Sequence, residues 1–189
     1  TENPASVDTA FNPRSPYGMA KATSFWATKN YREAYGLFTC SGIMSNHESP
    51  LRPARFVTRK IISTAVDISN GAQKKLKLGN MSILRDWGWA PEFVEAMWLM
   101  LQQDQPKDQI IATGASNSLT EFTNAAFHEV GLDWNDHVEI DPTLFRPTDL
   151  ATSVVDVKQT TKELGWSAQV KMPEVVSRMI QCENTGSLF

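Results

Sequence analysis

The sequence predicts an α/β fold with parallel strand pairing, and two observations carry that expectation. A long segment with apolar residues at helical spacing, residues 17–35, runs straight into a short apolar stretch, residues 37–43, suited to a strand. Downstream, amphipathic segments and short strand-like ones keep alternating, which is the pattern of helices laid over a mostly parallel sheet.

Taken in order, residues 1–15 are an irregular lead-in containing Pro4 and Pro13. Pro16 stands just ahead of the first helix, where its missing N–H costs nothing, and Gly36 follows it where a left-handed cap is expected. The helix carries Met19, Ala22, Phe25, Trp26 and Tyr31 at helical spacing. Residues 37–43, Leu-Phe-Thr-Cys-Ser-Gly-Ile, are apolar enough for a strand buried on both faces. A polar, proline-containing loop is expected over 46–55, then an amphipathic helix over 56–70 ending at Gly71. Residues 75–78 form a short strand before Gly79-Asn80. There Lys74, Lys75 and Lys77 alternate with Leu76 and Leu78, the mark of a solvated strand face. The apolar run 91–103, with Phe93, Val94, Met97, Trp98, Met100 and Leu101, reads as a helix. A strand over 109–113, a helix over 119–130 capped by Gly131, and a strand over 138–140 follow. The last helix, 173–183, is opened by Pro173.

With 189 residues, 41% hydrophobic and 21% charged, the chain has a soluble globular composition. Its length supports one domain with a core, since a chain of this size buries roughly 70% of its unfolded surface. A formal net charge of −3 supplies no basic field for nucleic acid or an anionic membrane. Cys40 and Cys182 lie far apart in apolar settings and read as reduced, buried thiols. No secretory signal is legible, and no apolar run approaches the ~20 residues of a membrane span. The chain reads as cytoplasmic.

Three constellations can carry chemistry. Tyr17 and Lys21 stand at i and i+4, so on a helix phenol and ammonium share a face. An ammonium nearby favours phenolate, and a partly ionised tyrosine can accept a hydroxyl proton as a general base. Asn46-His47-Glu48-Ser49-Pro50 sits just beyond the first strand, the end at which open α/β sheets hold ligands. His47-Glu48 lacks the second histidine that a zinc site of this type needs, so no metal is expected. In Phe56-Val57-Thr58-Arg59-Lys60-Ile61, two cations fall in a first helical turn, where the dipole opposes them unless an anion answers. That anion is either a diphosphate or solvent and its ions. Arg85 and Arg146 add guanidiniums in aromatic surroundings, in Arg85-Asp86-Trp87-Gly88 and Phe145-Arg146-Pro147.

Several stretches occur together in one order: Arg14-Ser15-Pro16-Tyr17, Asn30-Tyr31-Arg32-Glu33-Ala34-Tyr35-Gly36, Asn46 to Pro50, Phe56 to Ile61, Leu78-Gly79-Asn80-Met81, Leu84 to Gly88, and Phe145 to Pro147. From about Ala10 onward, the chain resembles the C-terminal part of the GDP-mannose 4,6-dehydratases, extended short-chain dehydrogenase/reductases. The resemblance implies part of an NAD(P)-binding Rossmann-like fold with the smaller sugar-nucleotide-binding domain. Residues 1–46 would be the remnant of the cofactor domain, and 47–189 mainly the sugar-nucleotide part, with some elements returning to the Rossmann sheet. It also implies a reaction: oxidation of GDP-mannose at C4 with NADP, loss of the C5 proton to a carboxylate, departure of water from C6, and return of hydride to C6. In that scheme Tyr17 is the base and Lys21 holds the nicotinamide ribose. His47 and Arg52 match cofactor contacts, and Asn46, Val57, Lys60, Arg85, Arg146 and Asp149 match the wall that holds GDP-mannose. A homo-oligomer is implied as well.

Three departures stand out. Pro50-Leu51-Arg52-Pro53 replaces the family's Pro-Arg-Arg-Gly, Asp149 stands where Glu is common, and Val155-Asp156-Val157 stands where Gly-Asp is usual. The chain also carries no GxGxxG turn and begins after the family's Ser/Thr-x-Glu segment. The expectation is therefore that the Gly-rich half and the C5 base lie outside it, with an upstream polypeptide as one way of completing the fold, and that the isolated chain does not turn over. Two other readings remain: another nucleotide-sugar epimerase or reductase, and a non-catalytic nucleotide-sugar-binding module.

Overall fold

The computed structural model describes residues 4–145 and 150–187. In chain order it contains α1 (Pro16–Tyr35), β1 (Gly42–Met44), β2 (Asn46–Glu48), α2 (Val57–Ser69), β3 (Leu76–Leu78), β4 (Leu84–Trp89), α3 (Ala90–Leu101), β5 (Gln109–Ile111), β6 (Ser116–Ser118), α4 (Leu119–Glu129), β7 (Val138–Ile140), α5 (Lys158–Leu164) and α6 (Met172–Thr185). Of the described pairings, β1 with β5, β2 with β4 and β3 with β7 are parallel, and β4 with β6 is antiparallel. The α/β class is as the alternating pattern predicts.

Two apolar clusters hold the elements. The larger packs α2, α4 and α6 around β3 and β4, with Ile61, Ile62, Phe122, Phe127, Val175 and Met179 fully buried. The smaller joins Phe93, Ala96 and Met100, one face of α3, to Ile111 of β5 and to Leu164, Trp166 and Ala168. Each of the larger aliphatic and phenylalanine side chains contributes about 1.5–3 kcal/mol by leaving water. Helix ends follow the sequence: α4 opens with a Ser118–Glu121 capping box, and Gly36 and Gly165 close α1 and α5 in the left-handed region.

Helix α1 differs from the rest. Ser15 caps it, its hydroxyl accepting from the Gly18 amide at 3.0 Å, and Pro16 occupies its first position. At the other end the Arg32 guanidinium donates to both Asp108 oxygens at 3.0 and 2.7 Å, tying the helix to the start of β5. Yet α1 has no buried residue, and Met19, Trp26 and Tyr31 are each more than half exposed. Its apolar spacing therefore forms an open face, apart from Phe25, which packs edge-on against Phe11 at 4.7 Å.

The strand expected over 37–43 begins only at Gly42, because that is where the chain comes alongside Gln109–Ile111. Leu37 and Phe38 are 49% and 44% exposed, so burial on both faces does not occur there; β1 has a described neighbour on one side only. The loop expected over 46–55 opens instead with β2. At Ser45 the amide still donates to Ile111 O, and the next three residues leave β5 to pair with Trp87–Trp89. Strands β4 and β6 and helix α5 went unread, since charge and aromatics mix in Leu84–Trp89, Ser-Asn-Ser has no apolar alternation, and α5 buries only Thr160 and Leu164. The alternation at β3 reads correctly: Leu76 and Leu78 are buried and Lys77 is exposed. Cys40 and Cys182 are free and half-buried. No helix among the described residues is long and apolar enough to cross a membrane.

Candidate functional site

Tyr17 and Lys21 lie in the first two turns of α1. The Lys21 ammonium sits over the Tyr17 ring, 5.7 Å from its centroid, and the tyrosine is 72% exposed. The i, i+4 reading is thus realised as an open phenol–ammonium pair at a capped helix start.

Asn46 and His47 are brought to the same small sheet as Arg85. Asn46 and His47 stand opposite Trp87 and Gly88 in β4, and Arg85, two residues earlier, stands opposite Asn117 of β6. Arg85 is half-buried and donates from Nη1 to Leu84 O at 2.8 Å. The His47 ring is stacked on Phe93 with centroids 5.1 Å apart, and its Nδ1 lies 3.0 Å from Ser45 O.

Glu48 ends β2 with its side chain fully buried. It accepts from the Thr58 hydroxyl at 2.7 Å and pairs with Arg52 Nε at 3.2 Å, while the Arg52 guanidinium lies 4.1 Å from the Phe56 ring centroid. Burial pushes the Glu48 carboxyl up, against the Thr58 hydroxyl and Arg52, which draw it down. Arg52 is therefore fastened to the β2–α2 connection along its inner edge.

Val57 and Lys60 lie in the first turn of α2. The two cations placed there against the helix dipole are each answered within the protein. Arg59 pairs with Glu183 of α6, and Lys60 donates to Lys77 O at 2.7 Å. That carbonyl uses one of three ammonium N–H groups, which leaves Lys60 two donors for a ligand. Arg146 and Asp149 lie outside the described residues.

Two surface depressions lie apart from these side chains. One, of about 870 Å³, follows the open face of α1 past Met19, Trp26 and Asn30; the other, of about 470 Å³, lies between Trp89 and Pro91 and the end of α6 at Arg178 and Cys182. Sequence reasoning also passed over Asp86, Ser45 and Phe93, which organise the site. The sequence offers for Asp86 no more than its place beside Trp87-Gly88-Trp89; its burial depends on β4 lying between β2 and β6.

The sequence model described as GDP-mannose 4,6 dehydratase matches residues 1–179. The chain is 49% identical over 180 residues to GDP-mannose 4,6 dehydratase 1 of Arabidopsis thaliana, covering 95% of this chain and 50% of that protein. It is 45% identical over 195 residues to GDP-mannose 4,6 dehydratase 2 of Caenorhabditis elegans, covering 95% and 51%. The chain thus spans about half the length of the curated relatives it matches. Among solved structures, the dTDP-glucose 4,6-dehydratase of Streptomyces venezuelae with NAD and TYD bound superposes with a TM-score of 0.87 at 19% identity, covering 98% of this chain and 56% of that one. The UDP-glucose 4-epimerase of Thermotoga maritima gives 0.86 at 18%, covering 97% and 58%. These likenesses show the fold: a portion of the architecture shared by nucleotide-sugar dehydratases and epimerases.

Proposed function

The chain belongs to the GDP-mannose 4,6 dehydratase family, and from that premise we propose that it forms part of a lyase converting GDP-D-mannose to GDP-4-keto-6-deoxy-D-mannose with NADP. The observation that carries this reading is the Ser15-capped start of α1, which holds the Lys21 ammonium over an open Tyr17 phenol. Tyr17 takes the proton from the C4 hydroxyl, and Lys21 keeps a positive charge beside the oxygen that receives it. NADP, when bound, supplies the hydride acceptor at C4 and the donor at C6. The residues present suit that cofactor: Tyr17 is open, the Lys21 ammonium stands beside it, and His47 keeps a ring nitrogen without a described partner. Lys21 and His47 would hold its nicotinamide nucleotide, with Arg52 contributing its outer edge.

Asn46, Val57, Lys60, Arg85, Arg146 and Asp149 form the GDP-mannose wall in this reading, with the diphosphate at the α2 N-terminus, where helix dipole and Lys60 act together. Residues 1–46 belong to the cofactor-binding part and 47–189 mainly to the sugar-nucleotide part. The reading also implies a cytoplasmic enzyme that works as a homo-oligomer. A calorimetric titration of the chain tests the wall. GDP-mannose and GDP are expected to bind more tightly than UDP-glucose, and Lys60→Ala or Arg85→Ala to weaken GDP by about 1.5–3 kcal/mol, roughly 10- to 150-fold. Equal affinity for the guanine and uracil nucleotides, or variants that bind GDP unchanged, would count against it.

A further inference from the structure

Asp86 is a buried carboxylate that no step above employs. It is 2% exposed, and each of its described partners is neutral. Oδ1 accepts from the Ser45 hydroxyl at 3.0 Å and the Thr113 amide at 3.1 Å, and Oδ2 accepts from the Gly114 amide at 2.8 Å. A carboxylate out of water is costly unless its lone pairs are satisfied, and here three bonds from two other segments do so. One of those segments is the point where the chain changes sheets. Ser45 still bonds through its amide to β5, while Asn46–Glu48 pair with β4. Asp86, on β4, therefore grips the residue from which Asn46 and His47 extend.

The His47 ring is fixed in turn by Ser45. Its Nδ1 faces the Ser45 carbonyl oxygen at 3.0 Å, and because that oxygen can only accept, Nδ1 must carry the hydrogen. In the neutral ring, Nε2 is then an acceptor. Phe93 holds the ring plane, stacked at 5.1 Å and 29°. It can come so close to β4 because the residue opposite His47 is Gly88, where a Cβ would lie 2.3 Å from the Phe93 ring. Nε2 has no partner among the described residues.

We propose that Asp86 is a positioning residue: acting through Ser45, it holds His47 in the tautomer whose Nε2 accepts a hydrogen bond from a hydroxyl or amide N–H of the bound nucleotide. A phosphate oxygen, itself an acceptor, is refused by that nitrogen. The identity of the nucleotide rests on the NADP reading above, whereas the tautomer does not.

The test is a long-range ¹H–¹⁵N correlation of the His47 ring in the labelled 189-residue chain, at about pH 8.5, above the ordinary imidazole value. The wild-type chain should show the Nδ1–H tautomer alone. Ser45→Ala and Asp86→Asn, whose amide nitrogen cannot accept from Gly114, should give a mixture of both tautomers, and Ser45→Thr should restore one. A role confined to stability would lower the unfolding temperature and leave the ring signals in place, which would overturn the proposal. So would an Nε2–H tautomer in the wild type. If Asp86→Asn does not fold, Ser45→Ala against Ser45→Thr decides. In a chimera that adds the half of the Arabidopsis thaliana relative this chain does not match, saturating NADP should move the Nε2 resonance, while sodium pyrophosphate should not; the reverse pattern overturns the assignment of the acceptor. A folded chimera that binds no NADP overturns the cofactor reading alone, and the tautomer in the free chain still judges the positioning.

Discussion

Replacing Gly88 with alanine should be among the more damaging single-methyl changes available in this chain. The added Cβ would lie 2.3 and 2.8 Å from two Phe93 ring carbons and 3.0 Å from Thr113 Cγ2. A flexible side chain could swing aside, but Phe93 cannot. It is fully buried, with Trp166 edge-on at 6.1 Å and His47 stacked on it at 5.1 Å. Overpacking a filled core costs about 1–3 kcal/mol. For a chain of this size that corresponds to roughly 2–12 °C, at about 2–4 °C per kcal/mol. Gly42→Ala, whose Cβ meets nothing closer than 3.8 Å, is the matched control and should stay within about 0.5 kcal/mol of wild type. Thermal unfolding followed by circular dichroism measures all three chains. Phe93→Leu removes the two ring carbons that clash, so the double variant should be less destabilised than the sum of the singles by about 0.5–3 kcal/mol. An unchanged midpoint for Gly88→Ala, or strict additivity of the pair, would refute this packing argument and with it the role of Gly88 in holding His47.

Other consequences are as direct. Burial pushes the Asp108 carboxyl up, but the Arg32 fork and the Ser41 amide outweigh it and hold the group below the usual carboxylate range. Its stabilising contribution is then full above ~3.9 and lost as pH falls through the lower folded value; Asp108→Asn should cost about 1.5–3 kcal/mol at neutral pH and flatten the acid limb of urea midpoints, and an unaltered limb would contradict this. Glu48 has the opposite sign. Burial raises its folded value, so the native state binds the extra proton, and stability falls as pH rises from ~4.3 through that value. In Glu48→Gln, which keeps an acceptor for Thr58, that decline should be missing, and a parallel pH profile for the two chains would sink the assignment. The open α1 face should make the isolated chain self-associate. Sedimentation should show concentration-dependent association that Trp26→Ser weakens, against a monodisperse monomer if the face has no such role.

The sequence revealed most where one chemical signal governs one element. Pro16 and Gly36 bracket α1, the apolar periodicities of α2, α3, α4 and α6 became buried faces, and the Leu76–Leu78 alternation became a strand. It revealed least where a partner distant in the chain decides the outcome. Ser116–Ser118 is a strand only because β4 lies beside it, and Asn46–Glu48 is one only because Trp87–Trp89 does. The site divides the same way. The Tyr17–Lys21 pairing follows from helical spacing alone, whereas the engagement of Arg59 by Glu183, of Lys60 by Lys77 and of Ser45 by Asp86 depends on tertiary contacts that local pattern does not contain.

The central claim, that this chain supplies the Tyr–Lys pair and nucleotide-sugar wall of a GDP-mannose 4,6-dehydratase, is most directly tested by transplantation. The chain should be joined to the half of the Arabidopsis thaliana relative that it does not match, since the two align over 95% of this chain and 50% of that protein. The chimera should then be incubated with GDP-mannose and NADP. The account predicts GDP-4-keto-6-deoxymannose from the chimera, none after Tyr17→Phe even though GDP-mannose is still bound, and loss of both turnover and NADP affinity after Lys21→Ala. A folded chimera that binds both ligands and forms no product, or one whose turnover survives Tyr17→Phe, would contradict it.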